Sequence, residues 1–147
     1  MKTLGEVQQF LSNLFTDQKL AVLATQDKGQ PYESVVAFVH TKDLRQLLFA
    51  TIRTTRKFDY MSDNPKVSML INNCRNEDED FHRASAVTVI GEACEVEKSS
   101  DRINTYLDKL PLLEEFIMAP SCALIQVRVK SYIIVERFQT VSEVHVD

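Results

Sequence analysis

The sequence predicts a mainly β fold with helices, of the α+β class, in which short antiparallel strands form a small barrel. Short apolar runs recur along the chain and are separated by polar turns. The first three runs lie too close together for the crossover helix that a parallel sheet requires. The chain has 147 residues, of which 44% are hydrophobic, so it can bury a core. We therefore expect residues 1–147 to form a single domain.

The first predicted element is an amphipathic helix. Thr3 and Glu6 have the spacing of a capping box, which marks the start of a helix. The apolar residues that follow recur at helical intervals: Leu4, Val7, Leu11 and Leu14. We expect this helix to end before Asp17 and to cover one end of a sheet.

The next three elements are predicted strands. They cover residues 20–25, 33–40 and 47–52. Gly29 can adopt a positive φ in the first connection, and the polar residues 41–46 form the second. Since both connections are short, we expect an antiparallel meander.

A cluster of hydroxyl and cationic side chains follows the third strand. Its members are Thr51, Arg53, Thr54, Thr55, Arg56 and Lys57. A short helix is predicted over residues 57–62 and stops at Asn64-Pro65. The start of a helix supplies free N–H groups and the favourable end of its dipole, while arginine can bind phosphate oxygens as a planar fork. The cluster therefore suggests a phosphate site, although these residues alone are also typical of a basic solvated turn.

The second half of the chain continues with strands and one interrupted helix. Strands are predicted over residues 66–71 and 86–96, separated by an acidic surface loop at 76–80. Gly91, inside the longer strand, indicates a bulge or a close approach of another backbone.

The C-terminal third begins with a predicted helix. It is capped near Ser99, interrupted at Pro111 and helical again to residue 118. Residues 123–129 and 132–138 form the last strand or strand pair. We expect the tail, residues 139–147, to be mobile or to pack on a partner.

Composition and motifs exclude several functions. The net charge of -4 argues against nucleic acid as a partner, and no stretch approaches the roughly 20 apolar residues of a membrane span. The N-terminus lacks a signal-peptide core, so we expect a cytoplasmic protein. Cys74, Cys94 and Cys122 are far apart in the sequence, and we expect them to be reduced and buried.

Catalytic signatures are also missing from the sequence. With only three glycines there is no dinucleotide fingerprint or P-loop. His40, His82 and His145 lack metal-ligand spacing, and no serine or cysteine lies beside an evident base. The remaining pattern, a phosphate site on a β-barrel, favours chemistry supplied by a bound cofactor.

Several runs together resemble the pyridoxamine 5'-phosphate oxidase family and, more broadly, the FMN-binding split barrels. They are residues 30–32, 48–51, 54–57, 64–68 and 89–93. The specific part is Thr55-Arg56-Lys57, a short helix, and then Asn64-Pro65-Lys66-Val67-Ser68. The resemblance implies a six-stranded antiparallel split β-barrel with flanking helices.

The resemblance also implies a cofactor site. Thr51, Thr55, Arg56 and Lys57 would hold the FMN phosphate, with Thr54 and Arg53 as helpers. The strand containing Val36, Ala37 and Phe38 would run beneath the isoalloxazine and offer backbone hydrogen bonds to its polar edge. The family places its flavin at a homodimer interface, where Phe138 and Gln139 could cap the partner's ring or simply pack at the surface.

The implied function is an FMN-dependent oxidoreductase that passes a hydride or electrons to a small acceptor. The chain departs from the family at three places: Ser34 stands at an arginine position, residues 39–40 lack a lysine, and Ala86 stands near a glutamine position. The C-terminal Arg and His motif that recognises the vitamin substrate is absent from residues 132–147. A non-catalytic flavin-binding, haem-binding or electron-carrier protein stays an alternative, and a deazaflavin is a lesser alternative cofactor.

Overall fold

A computed structural model describes residues 3–146, so Met1, Lys2 and Asp147 lie outside the described residues. Within that range the helices are α1 (Leu4–Asp17), α2 (Arg56–Asp63), α3 (Asp80–Arg83), α4 (Ser100–Lys109) and α5 (Glu114–Met118), with a 3₁₀ turn at Pro111–Leu113. The strands are β1 (Leu20–Asp27), β2 (Gln30–His40), β3 (Gln46–Ile52), β4 (Lys66–Asn72), β5 (Ser85–Val96), β6 (Cys122–Glu136) and β7 (Thr140–His145).

Six strands close into an antiparallel barrel, which confirms the predicted fold class. Their order is β3-β2-β1-β4-β5-β6, and pairing of β3 with β6 closes the ring. The last strand pair proves to be one continuous strand, β6. On one edge β6 pairs with β5, and on the other it pairs first with β3 and then with β7. This makes β7 an addition outside the barrel.

Helix α1 covers one end of the barrel, as its pattern predicts. The Thr3 hydroxyl accepts a hydrogen bond from the Glu6 N–H at 3.2 Å, and the Glu6 carboxylate accepts one from the Thr3 N–H at 3.0 Å. These two bonds form the capping box. The Phe15 ring packs edge-on against Phe38, with centroids 5.9 Å apart. The helix continues to Asp17, slightly beyond the predicted end.

The core has two parts on opposite sides of β3. The first fills the barrel and includes Phe38, Phe49 and Met69. The second lies between the barrel and α4 and α5, and it includes Leu48, Tyr106 and other buried side chains. Because β3 is covered on both faces, it reads in the sequence as a continuous apolar run.

Gly91 combines both predicted features. The β5–β6 register shifts between Ile90 and Gly91, which marks a bulge. A Cβ at this position would lie 2.8 Å from Cγ1 of Val127 and still closer to the carbonyl oxygen of Arg128. The absence of a side chain lets β6 approach β5 at this point.

Two sequence predictions need correction. The tail is expected to be mobile or partner-bound, but its residues Thr140–His145 form β7 against β6. The acidic residues 76–79 lie exposed in a surface loop, as predicted, and the short helix α3 begins at Asp80, whose carboxylate accepts backbone N–H groups of that loop. Of the three free cysteines, Cys122 is buried but Cys74 and Cys94 are exposed. None of the helices described in residues 3–146 is both long and apolar enough to cross a membrane.

Candidate functional site

The start of α2 is organised by two threonines. Thr55 is the N-cap, and its hydroxyl accepts the Phe58 N–H at 3.4 Å and donates to the Ile52 carbonyl at 2.8 Å. The Thr51 hydroxyl lies 3.0 Å from that of Thr55, and Thr51 is only 2% exposed. Thr51 therefore joins the end of β3 to the helix cap, and Thr55 is the more accessible of the two hydroxyls.

Two cations occupy the first turn of α2. Arg56 is exposed, and its Cζ lies 5.3 Å from the centroid of the Tyr32 ring. Tyr32 in turn packs edge-on against Tyr60, with centroids 5.7 Å apart. Lys57 is half-buried. Within residues 3–146 neither cation forms an ion pair with a carboxylate, so both charges are available to a ligand.

Arg53 makes different contacts. One guanidinium nitrogen lies 2.6 Å from Oε2 of Glu95, and another donates to the Pro120 carbonyl at 2.6 Å. The side chain joins the end of β3 to β5 and to the connection before β6. These contacts occupy two nitrogens of its guanidinium, while Thr54 beside it is exposed in the turn.

Strands β2 and β3 pair over only three residues. Phe38–His40 pair with 47–49. The residues of β2 that precede Phe38 pair only with β1, and the residues of β3 that follow Phe49 pair only with β6. Residues 35–37 and 50–52 do not pair with each other, and we call this unpaired stretch the β2–β3 opening. Thr51, whose hydroxyl meets that of the helix cap Thr55, belongs to its β3 side.

The register decides what the three predicted β2 residues can offer. The Phe38 N–H donates to the Lys19 carbonyl at 3.2 Å, so it points toward β1. Since backbone groups alternate along an antiparallel strand, those of Val36 also face β1, while those of Val35 and Ala37 face β3 and the opening. The side chains of Val36 and Phe38 are buried in the barrel. Ala37 is thus the member of the three whose backbone faces the opening.

A phosphate dianion fits the chemistry of this group of residues. The first N–H groups of an eight-residue helix, a cap hydroxyl and two cations that have no ion pair among residues 3–146 lie within one turn. The one acidic residue in that turn, Asp59, is exposed.

Sequence reasoning missed Tyr32, which supports Arg56 from β2. Its place in the motif run 30–32 was the available signal.

The remaining candidates lie elsewhere. Phe138 is exposed in the β6–β7 turn, where its ring lies 5.3 Å from that of Phe81. Gln139 lies in the same turn, and its N–H donates to the Glu136 carbonyl at 3.2 Å. In the part of the chain that is described, no three His, Cys, Asp or Glu side chains gather as a metal site would require.

Comparisons with known proteins agree with this architecture. The sequence model of the pyridoxamine 5'-phosphate oxidase family matches residues 5–135. No curated protein matches the chain in sequence.

Several solved structures share the fold. A heme binding protein from Mycobacterium smegmatis superposes with a TM-score of 0.78 at 15% identity, over 92% of this chain and 56% of that one. A putative pyridoxamine 5'-phosphate oxidase from Listeria innocua gives 0.70 at 16%, over 88% and 98%. A FAD-binding protein from Mesorhizobium loti gives 0.67 at 15%, over 86% and 90%. At these identities the likeness establishes the fold.

Proposed function

This chain belongs to the pyridoxamine 5'-phosphate oxidase family, and on that premise we propose that it is an FMN-binding flavoprotein acting as an oxidoreductase. The resemblance stated from the motifs is thereby confirmed at the level of the family. The start of α2 and the β2–β3 opening support the proposed cofactor, its site residues and the activity.

The observation that carries the proposal is a pair of cations at the helix start that form no ion pair within the described part of the chain. Arg56 donates a planar fork and Lys57 a point charge, and both stand where backbone N–H groups of α2 have no partner in the helix. Such a group of donors binds a dianionic phosphate more strongly than a neutral ligand. The Thr55 hydroxyl proton is donated to the Ile52 carbonyl and would turn to the phosphate when it binds, Thr51 holds Thr55 in place, and Thr54 lies within the same turn.

The ring of the flavin is assigned to the β2–β3 opening. There Val35 and Ala37 direct backbone N–H and C=O groups away from β1, as the register requires. These groups would bond the polar edge of the ring and fix its orientation. The bound flavin supplies hydride or single-electron transfer, for which the described side chains offer no alternative.

The substrate is a small acceptor or donor other than the family's vitamin phosphate. Ser34, on β2, stands where the family has an arginine, and its uncharged hydroxyl cannot replace that positive charge. The hydroxyl is buried and has no hydrogen-bond partner within residues 3–146. The C-terminal residues form β7, whose sequence lacks the Arg and His motif of the vitamin site. We also propose that the protein is cytoplasmic.

A homodimer completes the proposal. Leu20, Val35 and Leu70 are large apolar side chains exposed on the outer face of β1, β2 and β4. Val35 lies at the β2–β3 opening, so a second copy seated on this face would cover the flavin site as well. We therefore propose that the partner subunit excludes water from the cofactor.

The direct test is to identify what the purified protein carries. We expect a flavin absorbance spectrum and, after denaturation, release of a molecule with the mass of FMN. Reduction of the bound flavin by a nicotinamide cofactor would support oxidoreductase activity. A haem Soret band, a deazaflavin mass or a flavin that never turns over would contradict the proposal and favour the corresponding alternative.

The site is tested by the double variant Arg56→Ala with Lys57→Ala. Removal of two charge-assisted partners should cost about 3 kcal/mol of FMN binding, which is about a hundredfold or more in Kd. The matched control is Lys28→Ala with Lys42→Ala, which removes two charges from exposed turns. FMN affinity measured by fluorescence quenching should fall only in the first variant. Equal affinity in the two double variants would refute the assigned site.

A further inference from the structure

Lys109, in the last turn of α4, joins three elements through one ammonium group. Its Nζ donates to the backbone carbonyls of Phe15 at 2.7 Å, Gln18 at 2.7 Å and Phe38 at 2.9 Å. The same atom lies 3.8 Å from the centroid of the Phe38 ring. An ammonium has three donors and no acceptor, so all of its hydrogen-bonding capacity is used.

These contacts meet where β2 and β3 part. Phe38 is the residue of β2 at which the pairing with β3 ends, and the β2–β3 opening lies directly beside it. Its N–H is bound to Lys19, its carbonyl to Lys109 and its ring packs against Phe15. Phe38 is therefore held by α4 and by the end of α1, and residue 37 beside it is the first to face the opening.

The charge of Lys109 is held without a carboxylate. Within residues 3–146 no acidic side chain forms an ion pair with it, and two of its three carbonyl partners, those of Phe15 and Gln18, lie at the negative end of the α1 dipole. Burial, with a smaller effect from Lys19, lowers the pKa of Lys109 to about 8. The fold thus accepts the cost of desolvating a cation at this junction.

We propose that Lys109 is a positioning residue for the flavin site, which fixes the point at which β2 leaves β3 and so sets the backbone edge that receives the ring. This inference rests on the proposed function. It adds a residue that is distant in sequence from every part of the phosphate motif. Lys109 acts through Phe38 and touches neither phosphate nor ring.

The test compares Lys109→Met with Lys109→Arg. Methionine preserves an unbranched apolar stem but leaves three carbonyls without a donor, whereas arginine keeps charge and donors. The matched control is Lys98→Met, because the Lys98 ammonium also donates to a carbonyl, that of Ala119 at 3.1 Å, away from the junction. If Lys109→Met does not fold, Lys109→Gln, which retains two donors, takes its place.

Two measurements are made on each variant. Amide hydrogen exchange of the flavin-free protein should be about tenfold faster at Val36, Phe38 and Val39, whose N–H groups face β1 or β3, in Lys109→Met, with β4 and β5 unchanged. FMN dissociation constants, measured where every variant is fully folded, should rise about tenfold. Lys109→Arg should restore most of both values, and Lys98→Met should match the parent protein.

The outcomes separate this inference from the proposed function. Exchange that rises equally in β4 and β5, or an unchanged FMN affinity in Lys109→Met, would overturn the positioning role and leave Lys109 as general structural support. If the parent protein binds no FMN, the proposed function fails. The exchange measurement, which needs no ligand, then decides alone whether Lys109 fixes the opening.

Discussion

His40, on β2, is a half-buried titratable group beside Lys109. Burial and then the charge of Lys109 lower the pKa of His40 below its ordinary value of 6.5. Its ring packs against that of Phe15, with centroids 5.7 Å apart. Protonation of His40 therefore works against the contacts that join α1 to β2.

The first prediction concerns stability in mild acid. Below about pH 6.5 the unfolded chain binds a proton at His40 that the folded chain resists, so the free energy of unfolding should fall as the pH drops toward the lowered pKa. His40→Gln removes this titration and should flatten that part of the curve. Urea unfolding between pH 7.5 and pH 5 measures the difference, with His82→Gln, an exposed residue of α3, as the control. Parallel curves for the parent and His40→Gln would contradict the assignment.

At the scale of residues, local chemistry could be predicted and distant pairing could not. Arg56 and Lys57 follow a hydroxyl cap within one motif, and among the described residues 3–146 neither has an acidic partner. Arg53 has the same local context, but Glu95 and Pro120, 42 and 67 residues away in sequence, bind its guanidinium. Lys109 reaches carbonyls up to 94 residues away. No short-range pattern encodes such contacts.

At the scale of elements, local signals could again be predicted from the sequence, and pairing between distant segments could not. Helix α2 was predicted over residues 57–62 and spans Arg56–Asp63, because its cap and its Asn-Pro stop are local signals. Strand β7 was missed, since its exposed and mostly polar residues lack an alternating apolar face. Its stability depends on the free edge of β6, and only the assembled barrel provides that edge.

The second prediction concerns the close approach of β6 to β5 at Gly91. Gly91→Ala would place a Cβ against the Arg128 backbone, which cannot move without disturbing the ladder. We expect a loss of about 2 kcal/mol or more in the free energy of unfolding. The control is Gly5→Ala in α1, where nothing lies within 4 Å and alanine should stabilise the helix slightly. Urea denaturation of both variants decides this, and a stable Gly91→Ala protein would argue against the close approach.

At the scale of the whole molecule, closure of the barrel depends on β6. This strand pairs with β3 over residues 122–128, and with β5 along nearly its whole length. The sequence predicts separate antiparallel strands, but their periodicity does not determine which distant strand closes the ring. Closure also buries the far side of β3 and leaves β2 to diverge from it, so the β2–β3 opening follows from topology.

The last prediction concerns assembly of two subunits. Val35 and Leu70 both pair with Val22 in the register, so the three side chains form one row across β2, β1 and β4. Val35 is 62% exposed and Leu70 37%, which is a high cost for apolar groups beside the proposed cofactor site unless a partner covers them. A twofold axis through this row would bring the same surface of each copy together.

We expect the parent protein to sediment as a dimer and Val35→Glu with Leu70→Glu to sediment as a monomer, because four carboxylates would meet in the interface. The monomer should also lose FMN affinity although Arg56 and Lys57 are intact, since the flavin would then be exposed to water on one side. Leu112→Glu is the control, as Leu112 is 96% exposed on the 3₁₀ turn outside this row. Sedimentation velocity and fluorescence titration measure both effects. A monomeric parent protein that binds FMN tightly would show that one chain forms the whole site.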